Sequence, residues 1–449
     1  VDRLEDLDRR VTPPGAPRVA VIGAGWAGMA AAVTLAERGA KAVVFEAARQ
    51  LGGRARRVTI EEAALDNGQH ILVGAYAATL RLMRVVGADP DECLLRLPLE
   101  LRTATGFRLK AAPLPAPLHL AVGLLTARGL DFSDRLRAAR FVGRLRRDGF
   151  RLQKDDSVAA LLAEHGQTTP LRELLWEPLC VSALNTPADH ASAQVFANVL
   201  CDTFGGARSA SDLVLPRTDL GALFPEPAAR FVTARGGEVR VSAPVRTLEA
   251  GAGGVVLDVD AQPFDRAIVA CGPQHASALL ATDPRLASVA RAIDALEYEP
   301  IYTVYLQYPA TVSLPFVMLG FTGGLLQWAF DRGALSGRHG LIAGVLSASG
   351  RHQALAHPDL AAAIHGELAG HLPALPEPLW TQVIAEKRAT FSCRPGVVRP
   401  ANRTPVDAVV LAGDYTASEY PATLEGAVRS GVAAARLVLG PSRLDSEAC

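Results

Sequence analysis

The stretch Arg18–Ala47, RVAVIGAGWAGMAAAVTLAERGAKAVVFEA, constrains the chain most, because strand, glycine turn, helix, second strand and terminal acid follow one another without a break. Val19–Ile22 is a short apolar run suited to a buried parallel strand. It ends in Gly23-Ala24-Gly25-Trp26-Ala27-Gly28, the G-x-G-x-x-G pattern. Gly23 permits the tight turn, Gly25 lets a pyrophosphate approach the backbone, and Gly28 lets the helix pack closely on the strand. Phosphates then sit over free N–H groups at the positive end of the helix. That helix turns Ala32 and Leu35 inward and stops at Gly39, a residue suited to a left-handed cap. Ala42–Phe45 forms the next strand. Glu46, followed by Ala47, stands where a carboxylate accepts hydrogen bonds from a ribose diol and repels a 2′-phosphate. The unit predicts a dinucleotide site for FAD or NAD, not NADP.

A chain of 449 residues exceeds one typical core. At about 150 residues per domain it predicts two or three domains, which can interleave in sequence. Its 46 lysines and arginines balance 46 aspartates and glutamates, so no nucleic-acid footprint is present. Cys93, Cys180, Cys201, Cys271, Cys393 and Cys449 form no C-x-x-C pair, the usage of a reducing cytosol. His, Cys and Asp do not converge at any metal-ligand spacing, so no metal is expected. The opening VDRLEDLDRRVTPPGAP is charged and then proline-rich, unlike a secretory signal. No apolar run reaches the roughly 18 to 20 residues that span a bilayer. The expectation is a cytoplasmic protein, free or lying on the inner membrane surface.

Beyond Glu46 comes a second glycine turn, Leu51-Gly52-Gly53-Arg54-Ala55, with Arg54 available to anionic oxygen; a solvated surface turn fits the same residues. Asp66-Asn67-Gly68-Gln69-His70-Ile71-Leu72 is a polar segment running into apolar residues, as at the wall of a ligand site. His70 fits either a structural or a functional role. Near the other end, Val409–Asp414 reads as a strand closing in Gly413-Asp414. Thr423 suits a helix N-cap ahead of Leu424, Glu425 and Ala427. Two Rossmann-type signals at opposite ends predict one interleaved α/β cofactor domain.

The strings GAGWAGMAAAVTLAERG, LGGRA and DNGQHILVGAY, with Glu46, resemble the flavin-containing amine oxidase and phytoene desaturase superfamily. DNGQHILVGAY, WEPLCVSALNTP and QWAFDR resemble most closely its squalene-associated FAD-dependent branch, the hydroxysqualene dehydroxylases of hopanoid synthesis. The resemblance implies FAD as cofactor and an FAD domain built from residues 15–82, 212–282 and 389–440. It implies a mixed-sheet and helical substrate domain from 83–211 and 283–388, with tails at 1–14 and 441–449. It places Val245 at the adenine, Asp414 near ribityl and phosphate, and the helix start at Thr423, Leu424 and Ala427 near flavin N1 and O2. It further implies reductive loss of an allylic hydroxyl from hydroxysqualene, alongside enzymes that make and consume squalene. Polyene desaturation, amine oxidation and non-catalytic prenyl-lipid carriage use the same scaffold. Hydroxide is a poor leaving group, so a proton donor is expected, with His70 first and Asp66, Tyr415 and Glu419 behind it. Trp328 and Phe330 are candidates to line the substrate chamber, and an aromatic pair in a core strand fits them equally.

Between these motifs, Leu80–Ser211 reads as helix-rich, with proline-broken turns at Pro178 and Pro187. Residues 112–147 join an apolar segment to Arg135, Arg137, Arg140, Arg144, Arg146 and Arg147. That pattern suits an anionic membrane surface, and also a core-packed helix with a solvated basic face. Asp212–Gly221 reads as a loop and Phe231–Asp265 as a small sheet containing Val245–Leu248. Glu299–Ser349 is the most β-like part of the chain.

Overall fold

A computed structural model describes residues 16–60 and 63–440; the expected tails at 1–14 and 441–449 lie outside the described residues. The glycine-turn unit forms strand β1 (Arg18–Ile22), helix α1 (Trp26–Glu37) and strand β2 (Lys41–Phe45). Arg38 caps α1, and Gly39 follows at φ 79°. The amides of Gly39 and Ala40 return to Ala36 and Leu35, which closes the last turn. A five-stranded parallel sheet runs Glu238–Arg240, β2, β1, Arg266–Val269, Val409–Leu411. Its strands come from three separated stretches of chain. Its order reverses beside β1, the position at which α/β sheets open a crevice beyond their strand ends. Both faces are covered over the four inner and far strands, which are apolar beyond their first residues, whereas the edge strand Glu238–Arg240 is charged and half-exposed.

A second sheet runs Met318–Gly320, Trp328–Asp331, Leu341–Ser347, Tyr298–Gln307, Trp380–Phe391. Every pairing in it is antiparallel rather than mixed. Val304, Ile342 and Leu346 pack on one face against Leu360, Ile364 and Leu368 of helix His357–His371. Trp328, Phe330 and Val345 point the other way, toward a large cavity. Period-two alternation therefore gives this sheet one sealed face and one that walls a site.

Several local expectations differ from the fold. Within the expected loop 212–221, Leu213–Pro216 is a strand paired with Leu72–Val73 and Leu94–Leu97. This pairing crosses the expected boundary between the 83–211 and 212–282 segments. Phe231–Ala234 closes a helix begun at Pro225, because Ala228 and Val232 repeat at helical spacing and are buried. Glu238–Arg240 is the edge strand of the parallel sheet, and Val245 lies in an extended loop before the hairpin that starts at Leu248. Pro178 does not break its helix. A π turn at Arg172–Trp176 precedes helix Glu177–Leu184, and the wider turn accommodates a residue with no N–H to donate.

Candidate active site

A cavity of about 790 Å³ opens beyond the ends of β1 and β2. Gly23 has φ 106°, and its amide donates to Phe45 O at 2.7 Å, which turns the chain sharply off β1. A Cβ on Gly28 would meet Gly23 O at 1.9 Å, so only glycine brings helix and turn this close. The second glycine turn lies against the first: Gly52 N donates to Ala24 O at 2.9 Å, and a Cβ on Gly53 would come within 3.1 Å of Gly25 Cα. Trp26 Nε1 donates to Ala55 O and ties the same pair of turns together. Glu46 accepts from the amides of Ala24 and Ala48, both at 2.8 Å. Its carboxylate holds the turn as well as facing the cavity, and lone pairs remain on both oxygens.

Gly23, Gly25, Trp26, Ala27, Glu46, Ala47, Gly52, Gly53 and Arg54 all line this cavity. So do Gln69, His70, Ile71, Val245, Gly413, Asp414, Thr423, Leu424 and Ala427. Ala24 and Gly28 do not, and serve the turn instead. Arg54 binds Asp414 Oδ1 and donates to Ala389 O at 2.6 Å. Thr423 Oγ1 accepts from Gly426 N at 3.0 Å, capping helix Leu424–Leu439 as its sequence predicts. Tyr415 lines the wall with a buried hydroxyl that finds no partner among the described residues. A glycine cradle, two helix starts and an orphaned hydroxyl are the fittings of a diphosphate-bearing cofactor.

A second cavity of about 590 Å³ adjoins the first, and Ile71, Tyr76, Ser182, Ala183, Trp328 and Thr423 line both. Its walls are apolar, with Leu99, Leu101, Phe107, Leu124, Trp176 and Leu213 among them. One side-chain bond spans the junction and a second braces the cofactor cavity from behind. Trp328 Nε1 donates to Ser182 Oγ at 2.9 Å, and Arg332 donates to Gln69 Oε1 at 2.8 Å. The strings DNGQH, WEPLCVSALNTP and QWAFDR are therefore in contact across the junction.

The flavin containing amine oxidoreductase family matches residues 26–439. The chain belongs to that family. The hydroxysqualene dehydroxylase of Rhodopseudomonas palustris is 30% identical over 95% of this chain and 99% of its own. A zeta-carotene desaturase of Zea mays is 24% identical over 92% of this chain and 82% of its own. The cyclohexylamine oxidase structure from Brevibacterium oxydans shares the fold at TM-score 0.69 and 18% identity, covering 94% of this chain and 98% of that one. This flavin containing amine oxidoreductase is an enzyme, its cofactor is FAD, and the larger cavity fits that group.

The expected proton donors fare unequally in the family fold. Glu419 lies outside both cavities, with its side chain 65% exposed and paired to Arg151, because its loop turns it to solvent. Asp66 is 3% exposed and lines neither cavity. Its oxygens accept from Leu220 N and Arg332, so it is an anchor. Burial holds the His70 imidazole below its usual pKa. Its Nδ1 lies 3.0 Å from Gly68 O, which can only accept, so Nδ1 carries the proton and Nε2 is an acceptor. In that state Nε2 accepts a hydrogen bond, and an acid role for His70 requires a further proton there. Burial pushes the Tyr415 phenol well up, so it remains a hydrogen-bond donor.

Of the chamber candidates, Trp328 lines both cavities and Phe330 only the larger one. Sequence reasoning missed Tyr76, which lines both cavities, and Ser182 and Arg332, whose partners lie far away in the chain. The strings containing them were visible as family signatures without any sign of which side chains met.

Proposed function

We propose that the chain removes the allylic hydroxyl of hydroxysqualene reductively to give squalene, on the route to hopanoids, with enzymes that make and consume squalene on either side. One observation carries the reading: an apolar cavity that meets the cofactor cavity along a shared wall. The relatives named for this reaction add to it. FAD, when bound and reduced, supplies a hydride. The protein contributes a dry, apolar chamber in which an allylic cation is shielded from water. The Trp328–Ser182 bond fixes the wall between the two cavities, and Arg332 holds Gln69 in the wall of the cofactor cavity. We assign residues 15–82, 212–282 and 389–440 to FAD binding and the intervening segments to the lipid, with the strand at Leu94–Leu97 attached to the former.

The test is a single turnover without oxygen: reduce the bound FAD, add hydroxysqualene, and follow the yellow band while extracting lipid. Squalene formed in step with flavin oxidation supports the reading. Flavin that stays reduced, together with oxidised enzyme bleached by a saturated polyene precursor, replaces it with desaturation. In the same assay, His70→Ala is expected to keep FAD and to stay within about tenfold of the parent rate, below the 10²–10⁴-fold typical of a lost general acid. A loss of more than about a hundredfold with normal lipid binding restores the acid role.

We also propose that residues 112–147 meet an anionic membrane at the cytoplasmic face. Leu118 is 53% and Phe132 67% exposed, whereas Leu124 of the same segment faces the lipid cavity. In helix Phe132–Arg147, Ala138, Phe141 and Leu145 are buried, and Arg137, Arg140 and Arg144 are exposed. The helix is thus packed and basic at once. No helix among the described residues is long and apolar enough to cross a bilayer. Changing Arg137, Arg140 and Arg144 to Gln should weaken binding to anionic vesicles by up to about fivefold per charge, at about 1 kcal/mol each. Binding indifferent to salt and to these changes would count against the surface.

A further inference from the structure

Three carboxylates line the otherwise apolar cavity, and they differ in their surroundings: Glu173 is exposed and Glu177 bonds Arg172 at 3.0 Å, whereas Asp202, on helix Ala193–Gly205, is half-buried and has no cationic partner among the described residues. Its Oδ2 accepts from the Tyr420 hydroxyl at 2.5 Å. Its Oδ1 receives no hydrogen bond from any described residue, and no described cation forms an ion pair with it. The nearby guanidinium of Arg429 stacks on the Tyr420 ring at 4.4 Å and is already bonded to Glu425 Oε1 at 2.7 Å. Tyr420 lines the apolar cavity with Asp202, and its chain neighbours Pro421 and Thr423 line it too, Thr423 reaching the cofactor cavity as well. Tyr76 lines both cavities, and burial chiefly holds its phenol protonated, with the Asp202 carboxylate adding to that effect. Burial likewise keeps the Tyr420 phenol protonated, so it donates to Asp202.

We infer that Asp202 Oδ1 is the acceptor for the hydroxyl proton of the lipid substrate, and that this bond distinguishes the alcohol from its hydrocarbon product. The inference rests on the proposed dehydroxylation. An alcohol offers one O–H donor, and a carboxylate in an apolar wall accepts it in a charge-assisted bond. A hydrocarbon leaves Oδ1 facing chain with neither donor nor water, and an unmade bond at a desolvated charge is costly. Sites built around a hydroxyl reject the analogue lacking it far more strongly than apolar pockets reject an added methylene. Loss of the oxygen in the reaction therefore loosens the product where the substrate was held. Tyr420 acts through Asp202 as a positioning residue.

The experiment measures binding of hydroxysqualene and squalene to the oxidised holoenzyme in one detergent, read from perturbation of the flavin spectrum. The parent should prefer the alcohol by about 10- to 100-fold, the range of a hydrogen bond to a charged group. Asp202→Leu should bring the ratio to within about twofold, in part by tightening squalene, with FAD content unchanged. Should that variant fail to load FAD, the near-isosteric Asp202→Asn should still cut the preference several-fold, about the difference between a charged and a neutral acceptor. Tyr420→Phe should blur the preference without abolishing it. An undiminished preference in the Asp202 variants overturns the inference and leaves the dehydroxylase intact if the parent still converts the alcohol. A parent that neither binds nor converts the alcohol overturns the dehydroxylase itself and this assignment with it.

Discussion

Arg332→Met is expected to destabilise the holoenzyme by about 3–5 kcal/mol, the usual cost of leaving a buried charge without its partner. Arg332 is 5% and Asp66 3% exposed, and the guanidinium bonds Asp66 Oδ2 at 3.3 Å and Gln69 Oε1 at 2.8 Å. Burial raises the Asp66 carboxyl above the ordinary range even with Arg332 pulling it down, so removing the cation raises it further. The sign of the pH dependence follows. With the folded value above the unfolded one, the folded chain keeps a proton that the unfolded chain has released, and stability falls as pH rises from the ordinary carboxylate value through the raised one. The deficit of Arg332→Met should therefore be smallest in acid and grow toward neutrality, read from urea midpoints of parent and variant. Adding Asp66→Asn should recover much of it. A deficit under about 1 kcal/mol that ignores pH would mean that the pair is solvated. The variant also frees Gln69, so FAD affinity should fall with stability.

What the sequence discloses follows the distance over which each interaction acts. The β1 turn is legible because Gly23, Gly25 and Gly28 act within six residues, and the Thr423 cap because its bond spans three. Leu213–Pro216 is illegible as a strand because its four residues gain their pairing only from Leu72–Val73 and Leu94–Leu97, far up the chain. Val245 has strand-like neighbours yet pairs with nothing, because Glu238–Arg240 has already taken the sheet edge. The candidate acids differ in placement for a related reason. Proximity in a motif does not reveal direction, and Glu419 points to solvent while Asp202, more than 200 residues from Tyr420 in sequence, faces the cavity beside it. The apolar chamber is assembled from strands and helices on both sides of the cofactor segments, so no single window displays it.

Glu425→Ala should cost about 3 kcal/mol and disturb the apolar cavity, although Glu425 lines neither cavity. Its side chain is fully buried at the start of the C-terminal helix. It accepts from Ala78 N at 3.1 Å, from Thr79 N at 2.9 Å and from Thr79 Oγ1 at 2.8 Å. These amides open helix α2 (Ala77–Val85), whose own N-cap, Tyr76, offers no side-chain bond. A carboxylate about 346 positions away supplies the missing cap, favoured there by the helix dipole. Alanine leaves two amides and a hydroxyl without an acceptor at roughly 1–3 kcal/mol each, partly relieved by water entering the gap. Arg429, 45% exposed, is solvated without its partner and adds little. Hydrogen exchange gives the local reading. Ala78 and Thr79 should lose protection by about a hundredfold or more while β1 and β2 keep theirs, and Glu425→Gln, which retains one acceptor, should fall between. Because the first turn of α2 follows Tyr76 directly, its loosening should raise the KM for the lipid more than it lowers kcat. Unchanged protection at both amides would show that water already serves them and that Glu425 answers only to Arg429.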